Sequence, residues 1–122
     1  MRRLRDNNSG FTLIEVLIAM VILTVGLLGT AALIIGIINS NKLSNRISTA
    51  TVLAQDKMED IKRIGYNNAV SETKASMSSP YDNYEREVTV TSNSPSNGMK
   101  TINVTVYWES SKSVSLQTIL SK

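Results

Sequence analysis

The stretch FTLIEVLIAMVILTVGLLGTAALIIGII, which runs from Phe11 to Ile38, decides how this chain can fold. Glu15 is the only residue in it that carries a charge. As an α-helix the stretch would rise ~42 Å, whereas the hydrocarbon core of a bilayer is ~30 Å thick. We therefore predict that it forms a helix that spans a membrane with length to spare.

The segment before the apolar stretch is short, polar and basic. It contains Arg2, Arg3 and Arg5, and the first basic residue after the stretch is Lys42. Because positive residues stay on the cytoplasmic side, this distribution predicts a cytoplasmic N-terminus and an external C-terminal region. An ordinary secretory signal has an apolar run of ~7–15 residues followed by a small-residue cleavage site. The apolar stretch here is longer and lacks such a site, which leaves a plain single-pass anchor or a signal cut on the cytoplasmic side.

The charge balance gives no support to nucleic-acid binding. The formal net charge is +3, but three arginines and one aspartate lie within the first ten residues. The remainder holds ten basic and nine acidic residues, and such a balance is no electrostatic footprint for duplex DNA. We therefore expect no nucleic-acid partner.

Two missing residue types limit the chemistry that the chain can perform. The sequence has no cysteine and no histidine, which excludes a disulfide framework, a Cys/His metal site and catalysis by imidazole or thiolate. No pair of carboxylates stands out for acid–base work. We therefore expect no catalytic residue, no metal and no cofactor, and we do not expect an enzyme.

Helical periodicity continues beyond the apolar stretch. Apolar residues recur at steps of three and four along one face, while polar and charged residues occupy the remainder. No proline interrupts the chain from Phe11 to Ile64, and Gly65 is a plausible helix end. One helix over this range would be ~81 Å long. The predicted apolar stripe of its second half consists of Leu43, Ile47, Ala50, Ala54, Met58, Ile61 and Ile64.

The last third of the chain has the alternation of β-strands. Residues 66–83 read as a connecting loop, and three alternating runs follow it. In the second run Trp108 shares a face with Val104 and Val106, so we expect it in the core, whereas Tyr107 points outward. We predict an α+β fold, in which a long N-terminal helix carries a small three-stranded antiparallel sheet packed on its C-terminal half. The predicted strands are Glu85–Thr91, Lys100–Trp108 and Ser113–Ser121.

The residues Gly10–Phe11–Thr12–Leu13–Ile14–Glu15 and the apolar run after them closely resemble the N-terminal signature of the type IV pilin and type II secretion pseudopilin superfamily. This resemblance implies a pilin-like fold and a cut after Gly10 by a prepilin peptidase. It also implies methylation of the new amino terminus at Phe11. Glu15 then holds the family's glutamate position, and with Thr12 we assign it to assembly and register.

Physical reasoning supports these assignments independently. Gly10 has no Cβ, so the backbone at the scissile bond can approach a protease closely. An ionised Glu15 deep in a bilayer costs ~2.5–3.5 kcal/mol, so it needs a partner or a functional reason. A cut after Gly10 creates a cationic amine at Phe11, which a neighbouring subunit's Glu15 could meet in a filament. Alternatively, Glu15 reaches the cytoplasmic interface in an isolated anchor.

Weaker resemblances concern the rest of the chain. Residues 54–59 and 102–108 are similar to the type IV pilus modification group often called PilV, and the C-terminal region is also similar to the minor pseudopilin I of type II secretion. Ala32 stands where many major pilins have a proline, and a C-terminal cysteine pair is missing. These departures point away from a major pilin. The expected division is 1–10 leader peptide, 11–38 transmembrane and filament-core helix, 39–65 amphipathic helix, and 66–122 loop with sheet.

Three functional hypotheses remain from the sequence. The first is a minor pilin of a type IV pilus. Such a protein is inserted in the bacterial inner membrane and processed by prepilin peptidase. The pilus assembly platform then joins it to other major and minor pilins at the cell surface. The second is a minor pseudopilin of a type II secretion system. The third, from another class, is a membrane-anchored extracytoplasmic binding module that keeps its first ten residues.

Overall fold

The computed structural model describes residues 10–122 as one helix and four strands. They are α1 (Leu13–Asn68), β1 (Glu72–Ser76), β2 (Tyr84–Ser92), β3 (Met99–Trp108) and β4 (Lys112–Ser121). The predicted α+β, pilin-like class is confirmed. The chain divides into two compact units between Ser40 and Asn41, here called the N-terminal and the C-terminal unit.

The N-terminal unit is helical and buries no side chain within the chain. From Gly10 to Ser40 every described residue is exposed, including large apolar side chains such as Phe11, which is 83% exposed. The hydroxyl of Thr24 donates to the carbonyl of Met20 at 2.7 Å, and that of Thr30 donates to the carbonyl of Leu27 at 2.9 Å. Because these hydroxyl protons are paired inside the helix, both threonines are compatible with a lipid environment.

The end of α1 is marked by Gly65, as predicted, but the chain makes one further turn. Gly65 has φ 79° and ψ −179°. This backbone conformation interrupts the helix, and residues other than glycine rarely adopt it. The backbone N–H of Ala69 donates to the carbonyl of Gly65 at 3.2 Å. Lys100 secures this turn, because its ammonium donates to the carbonyl of Tyr66 at 2.7 Å and lies 4.6 Å from the centre of the Tyr66 ring. The sequence gives no local sign of this distant lysine.

The strands form one antiparallel meander in the order β1–β2–β3–β4. The three predicted strands match β2, β3 and β4 to within one residue at each end. The prediction of three strands was wrong, however, because β1 lies inside the predicted loop 66–83. Its residues ETKAS lack apolar alternation, so the strand has no signal of its own. It pairs with β2 through the backbone, and an ion pair between Lys74 and Glu85 at 2.9 Å supports that pairing.

The core of the C-terminal unit lies between the sheet and the second half of α1. Four of the seven predicted stripe residues are buried, whereas Leu43, Ile47 and Ile64 stay exposed. Leu53 joins the core although it is not in the predicted stripe. Trp108 is only 4% exposed, which confirms its predicted inward position. The buried cluster consists of Ala50, Leu53, Ala54, Met58, Ile61, Ala69, Val88, Ile102, Val104, Val106 and Trp108.

Ion pairs tie the helix to the sheet around this core. Arg46 binds the carboxylate of Glu109, which also accepts from the ammonium of Lys112 at 3.2 Å. Lys57 binds Glu72 at 2.5 Å and so connects the helix to β1. Because the carboxylate of each pair is exposed, 49% for Glu109 and 41% for Glu72, we assign the role of these pairs to orientation more than to stability.

We predict that Ile102→Ala lowers the free energy of unfolding of the C-terminal unit by about 2–5 kcal/mol, since Ile102 is fully buried and the change leaves a cavity. The measurement is denaturant unfolding of the full chain in detergent micelles, followed by the fluorescence of Trp108, the single tryptophan. The control is Ile119→Ala, because Ile119 is 51% exposed on the same sheet. Equal losses for the two variants would contradict the core described above.

We also predict that the contribution of Glu109 to stability depends on pH. A hydrogen bond from Lys112, the charge of that lysine and the charge of Arg46 hold the pKa of Glu109 below its ordinary value. A carboxylate with a depressed pKa stabilises the folded state above its unfolded pKa, and this contribution disappears as the pH falls through the folded pKa. The wild type should therefore exceed Glu109→Gln in stability at neutral pH, and the difference should vanish in acid.

The control for this pH dependence is Glu59→Gln, since Glu59 makes none of the ion pairs found among residues 10–122. Thermal unfolding at a series of pH values gives the comparison. A difference between wild type and Glu109→Gln that stays constant into acid would refute this role of Glu109.

Candidate functional site

Thr12 caps the beginning of α1. Its hydroxyl oxygen accepts a hydrogen bond from the backbone N–H of Glu15 at 3.2 Å, and its carbonyl accepts one from the N–H of Val16 at 3.2 Å. This is the geometry of a helix N-cap, in which a threonine oxygen satisfies a backbone donor of the first turn. The helix therefore starts at Leu13, two residues later than the sequence predicts.

The Gly10–Phe11 junction lies immediately before this cap and outside the helix. Both residues are exposed, and a Cβ added at Gly10 would meet no atom within 4 Å. A peptidase binds its substrate in an extended form, so a scissile bond inside a helix would first have to be unwound. Because Thr12 holds the helix start downstream, the junction needs no such unwinding.

Glu15 occupies the first turn of α1. A carboxylate there lies near the positive end of the helix dipole, which stabilises negative charge. Glu15, Ala19 and Leu23 follow at four-residue steps along α1, so Glu15 belongs to an otherwise apolar face. Together with Phe11, Val16 and Met20 these residues line a shallow surface groove. Glu15 is the only charged side chain from Gly10 to Asn41.

No other segment of the described chain covers the surface around Glu15. α1 is long and apolar enough to cross a membrane, and its apolar window is not buried against any other part of the described chain. Gly26, Gly29 and Gly36 also have open space where a Cβ would be. Lipid or the helices of other subunits are the environments that could cover such a surface.

The structure brings four of the predicted site residues together and leaves three undescribed. Gly10, Phe11, Thr12 and Glu15 are consecutive or within one turn, whereas the leader arginines Arg2, Arg3 and Arg5 lie outside the described residues. The capping role of Thr12 was missed by sequence reasoning. The pattern Thr-x-x-Glu before an apolar run is a recognised helix-start signal, so it could have been found.

Tyr107, the other aromatic residue considered from the sequence, points away from the core as predicted. Its hydroxyl donates to the carboxylate of Glu87 at 2.9 Å, and the ammonium of Lys74 lies 4.2 Å from the centre of its ring. The hydrogen bond to Glu87, together with burial, raises the pKa of Tyr107. The ring is therefore engaged with its own sheet. No group of three or more potential metal ligands occurs among residues 10–122.

Comparison with known proteins identifies the N-terminal site. Residues 5–31 match the family model described as the prokaryotic N-terminal methylation motif. The matched segment includes the Gly10–Phe11 junction, Thr12, Glu15 and most of the apolar stretch. No curated protein and no solved structure matches the chain.

The chain therefore carries a prepilin-type signal of the kind found in type IV pilins. This motif, on an apolar helix that fits membrane anchoring, supports a type IV pilin-like or pseudopilin protein. The motif also suggests a structural subunit.

Proposed function

We propose that the chain is a minor pilin of a type IV pilus, cut between Gly10 and Phe11 and assembled through the helix of residues 11–38. The observation that carries this proposal is the methylation motif placed on an exposed, non-helical junction in front of an uncovered apolar helix. Residues 1–10 are then the leader, residues 39–65 the amphipathic part of the helix, and residues 66–122 the exported loop and sheet.

Processing would occur on the cytoplasmic side of the bacterial inner membrane. The leader arginines Arg2, Arg3 and Arg5 favour a cytoplasmic N-terminus, which places the sheet outside the cytoplasm. Prepilin peptidase then cuts after Gly10 and methylates Phe11. The cap at Thr12 supports this step, because the first turn keeps its hydrogen bonds while the peptidase holds the residues before it.

Assembly would depend on Glu15. In lipid its ionised carboxylate costs ~2.5–3.5 kcal/mol at the centre of a helix and less near the interface. The amine released at Phe11 of a neighbouring subunit is a cation of the right kind to pair with it. A buried pair of this type specifies register more reliably than it adds stability. Glu15 would thus fix the axial position at which one subunit joins the next.

The partners proposed here are prepilin peptidase, the pilus assembly platform, and other major and minor pilins. A minor role is favoured by the small sheet, the absence of cysteine and the similarity of residues 54–59 and 102–108 to the PilV group. The same motif also supports a minor pseudopilin of a type II secretion filament, since both groups share it. The protein would move from the inner membrane to the pilus at the cell surface.

The first test is the mature N-terminus of the full chain, purified from native membranes. Intact mass and N-terminal sequencing should show a start at methylated Phe11. Gly10→Ala should keep the leader, because a Cβ at the scissile residue hinders the close approach of the peptidase. The matched control is Gly36→Ala, which has equally open surroundings and should be processed like the wild type. An intact Met1 in cells with active prepilin peptidase would favour the anchored binding module instead.

The second test concerns assembly. Glu15→Gln keeps the shape of the side chain but removes its charge, so it should still be cut and yet enter filaments roughly tenfold less or worse, because loss of one partner of a buried pair is strongly destabilising. The measurement is the amount of variant in sheared filaments relative to that in membranes. Glu59→Gln, the same change on the exposed part of α1, should assemble normally. Normal incorporation of Glu15→Gln would remove the proposed role of Glu15.

A further inference from the structure

The loop between β2 and β3 contains a reactive pair of residues. Asn97 and Gly98 form the only Asn–Gly pair in the sequence. An asparagine side chain ends in an amide, and the backbone nitrogen of the following residue can attack the carbon of that amide. Asparagine is one of the thermolabile residues of proteins for this reason. Because glycine has no side chain, it hinders the approach of its own backbone nitrogen less than any other residue does.

The fold favours a glycine at position 98. The N–H of Met99 donates to the carbonyl of Ser96 at 3.1 Å, so residues 96–99 form a β-turn. Gly98 has φ 80° in this turn, a backbone conformation that residues other than glycine rarely adopt. A Cβ at Gly98 would meet no atom within 4 Å, so the backbone angle and not crowding selects glycine here. The turn itself thus places the least hindered backbone nitrogen directly after Asn97.

Both reacting groups are free. Asn97 is exposed, and the side-chain hydrogen bonds of this loop join Thr101 to Ser94 and leave the amide of Asn97 unpaired within residues 10–122. The carbonyl of Gly98 accepts from the N–H of Lys122 at 3.0 Å, but the N–H of Gly98 donates to no backbone group of the described chain. Rotation that brings this nitrogen to the side chain strains the turn's hydrogen bond, which contributes only about 0.5–1.5 kcal/mol.

Asn93, in the same loop, has a different neighbour. It is exposed like Asn97, but the residue after it is Ser94, whose N–H donates to the carbonyl of Met99 at 3.2 Å. The carbonyl of Ser94 accepts from the hydroxyl of Thr101 at 2.9 Å, so Ser94 is held through both of its backbone groups. Attack on Asn93 would need this nitrogen, which is hydrogen-bonded and belongs to a residue with a side chain. The structure therefore distinguishes two exposed asparagines of one loop.

We propose that Asn97 is a site of spontaneous deamidation in the folded protein. The backbone nitrogen of Gly98 gives its proton to solvent and attacks the side-chain amide carbon of Asn97. A carbon–nitrogen bond forms there, and the bond from that carbon to the side-chain nitrogen breaks. The side-chain nitrogen takes up a proton from solvent and leaves as ammonia. The product is a cyclic imide that joins the two residues.

Water then opens the imide in one of two ways. Attack at the former side-chain carbon restores the main chain and leaves an aspartate at position 97. Attack at the main-chain carbonyl leaves an isoaspartate, in which the main chain runs through the former side chain and is one carbon longer. In both cases one water is consumed, one ammonia is released and no electrons are transferred. Each product adds a negative charge to the turn, and the isoaspartate also lengthens the span from Ser96 to Met99.

The test ages the full chain in detergent micelles at neutral pH, in water enriched in a heavy oxygen isotope. Samples taken over time are digested with trypsin in ordinary water and analysed by mass spectrometry. One tryptic peptide, from Glu87 to Lys100, contains both asparagines of the loop. We expect Asn97 to change from amide to acid with uptake of one heavy oxygen atom, as a mixture of aspartate and isoaspartate. Asn93 in the same peptide should remain an amide.

Three variants make this result specific. Asn97→Gln lengthens the side chain by one methylene group, so the ring closes much more slowly and the change should disappear. Gly98→Ala puts a methyl group beside the attacking nitrogen, in space that is otherwise open, and should slow the reaction at Asn97 several-fold. The matched control is Asn93→Gln, which should leave the rate at Asn97 unchanged. Fluorescence of Trp108 establishes that each variant is folded.

The same incubation in denaturant shows what the fold contributes. Unfolding frees the N–H of Ser94, so the preference for Asn97 over Asn93 should be larger in the folded chain than in the unfolded one. An Asn97 that stays an amide in the folded chain and reacts only after unfolding would overturn the proposal. Equal rates at the two asparagines of the folded chain would overturn it as well. Neither result bears on processing at Gly10, so this site and the proposed function are tested separately.

Discussion

One ionisable side chain on an otherwise apolar helix constrains the rest of the N-terminal unit. Nothing in the described chain covers the surface around Glu15, and every residue from Gly10 to Ser40 is exposed. Lipid can cover the apolar side chains, but it cannot pair a carboxylate. In the proposed function, the unit meets two environments in succession, a bilayer that accepts the apolar surface and an assembly that supplies a cation. In the same proposal, the cation is the amine that a cut after Gly10 leaves at Phe11 of a neighbouring subunit.

The C-terminal unit must stay folded although it is small. It has no disulfide, and its sheet alone has only one apolar face to bury. The second half of α1 supplies the other layer, since Ala50, Ala54 and Met58 lie in one buried cluster with Val104 and Ile102. Trp108 belongs to the same cluster. The inner side of β4 stays only partly buried, unlike that of β3.

Sequence patterns predicted the structure correctly where a residue's position depends on its neighbours in the same helix or strand. The apolar stretch, the strand alternation and the inward position of Trp108 were predicted correctly because each follows from the period of a regular element. The strand β1 was missed because its five residues have polar or small side chains, and its pairing with β2 depends on backbone groups that look the same for any sequence. The role of Thr12 was missed although its pattern with Glu15 is local.

The sequence by itself determined that this chain has a prepilin-type start, an apolar helix and a small antiparallel sheet, because hydrophobic periodicity and a contiguous motif need no knowledge of distant residues. Only the tertiary structure decided that β1 pairs with β2, which stripe residues are buried and how the last turn of α1 is held by Lys100. Those features depend on contacts between residues far apart in sequence. Their free energies come from burial and hydrogen bonding in one particular arrangement of helix and strands, which no local pattern encodes.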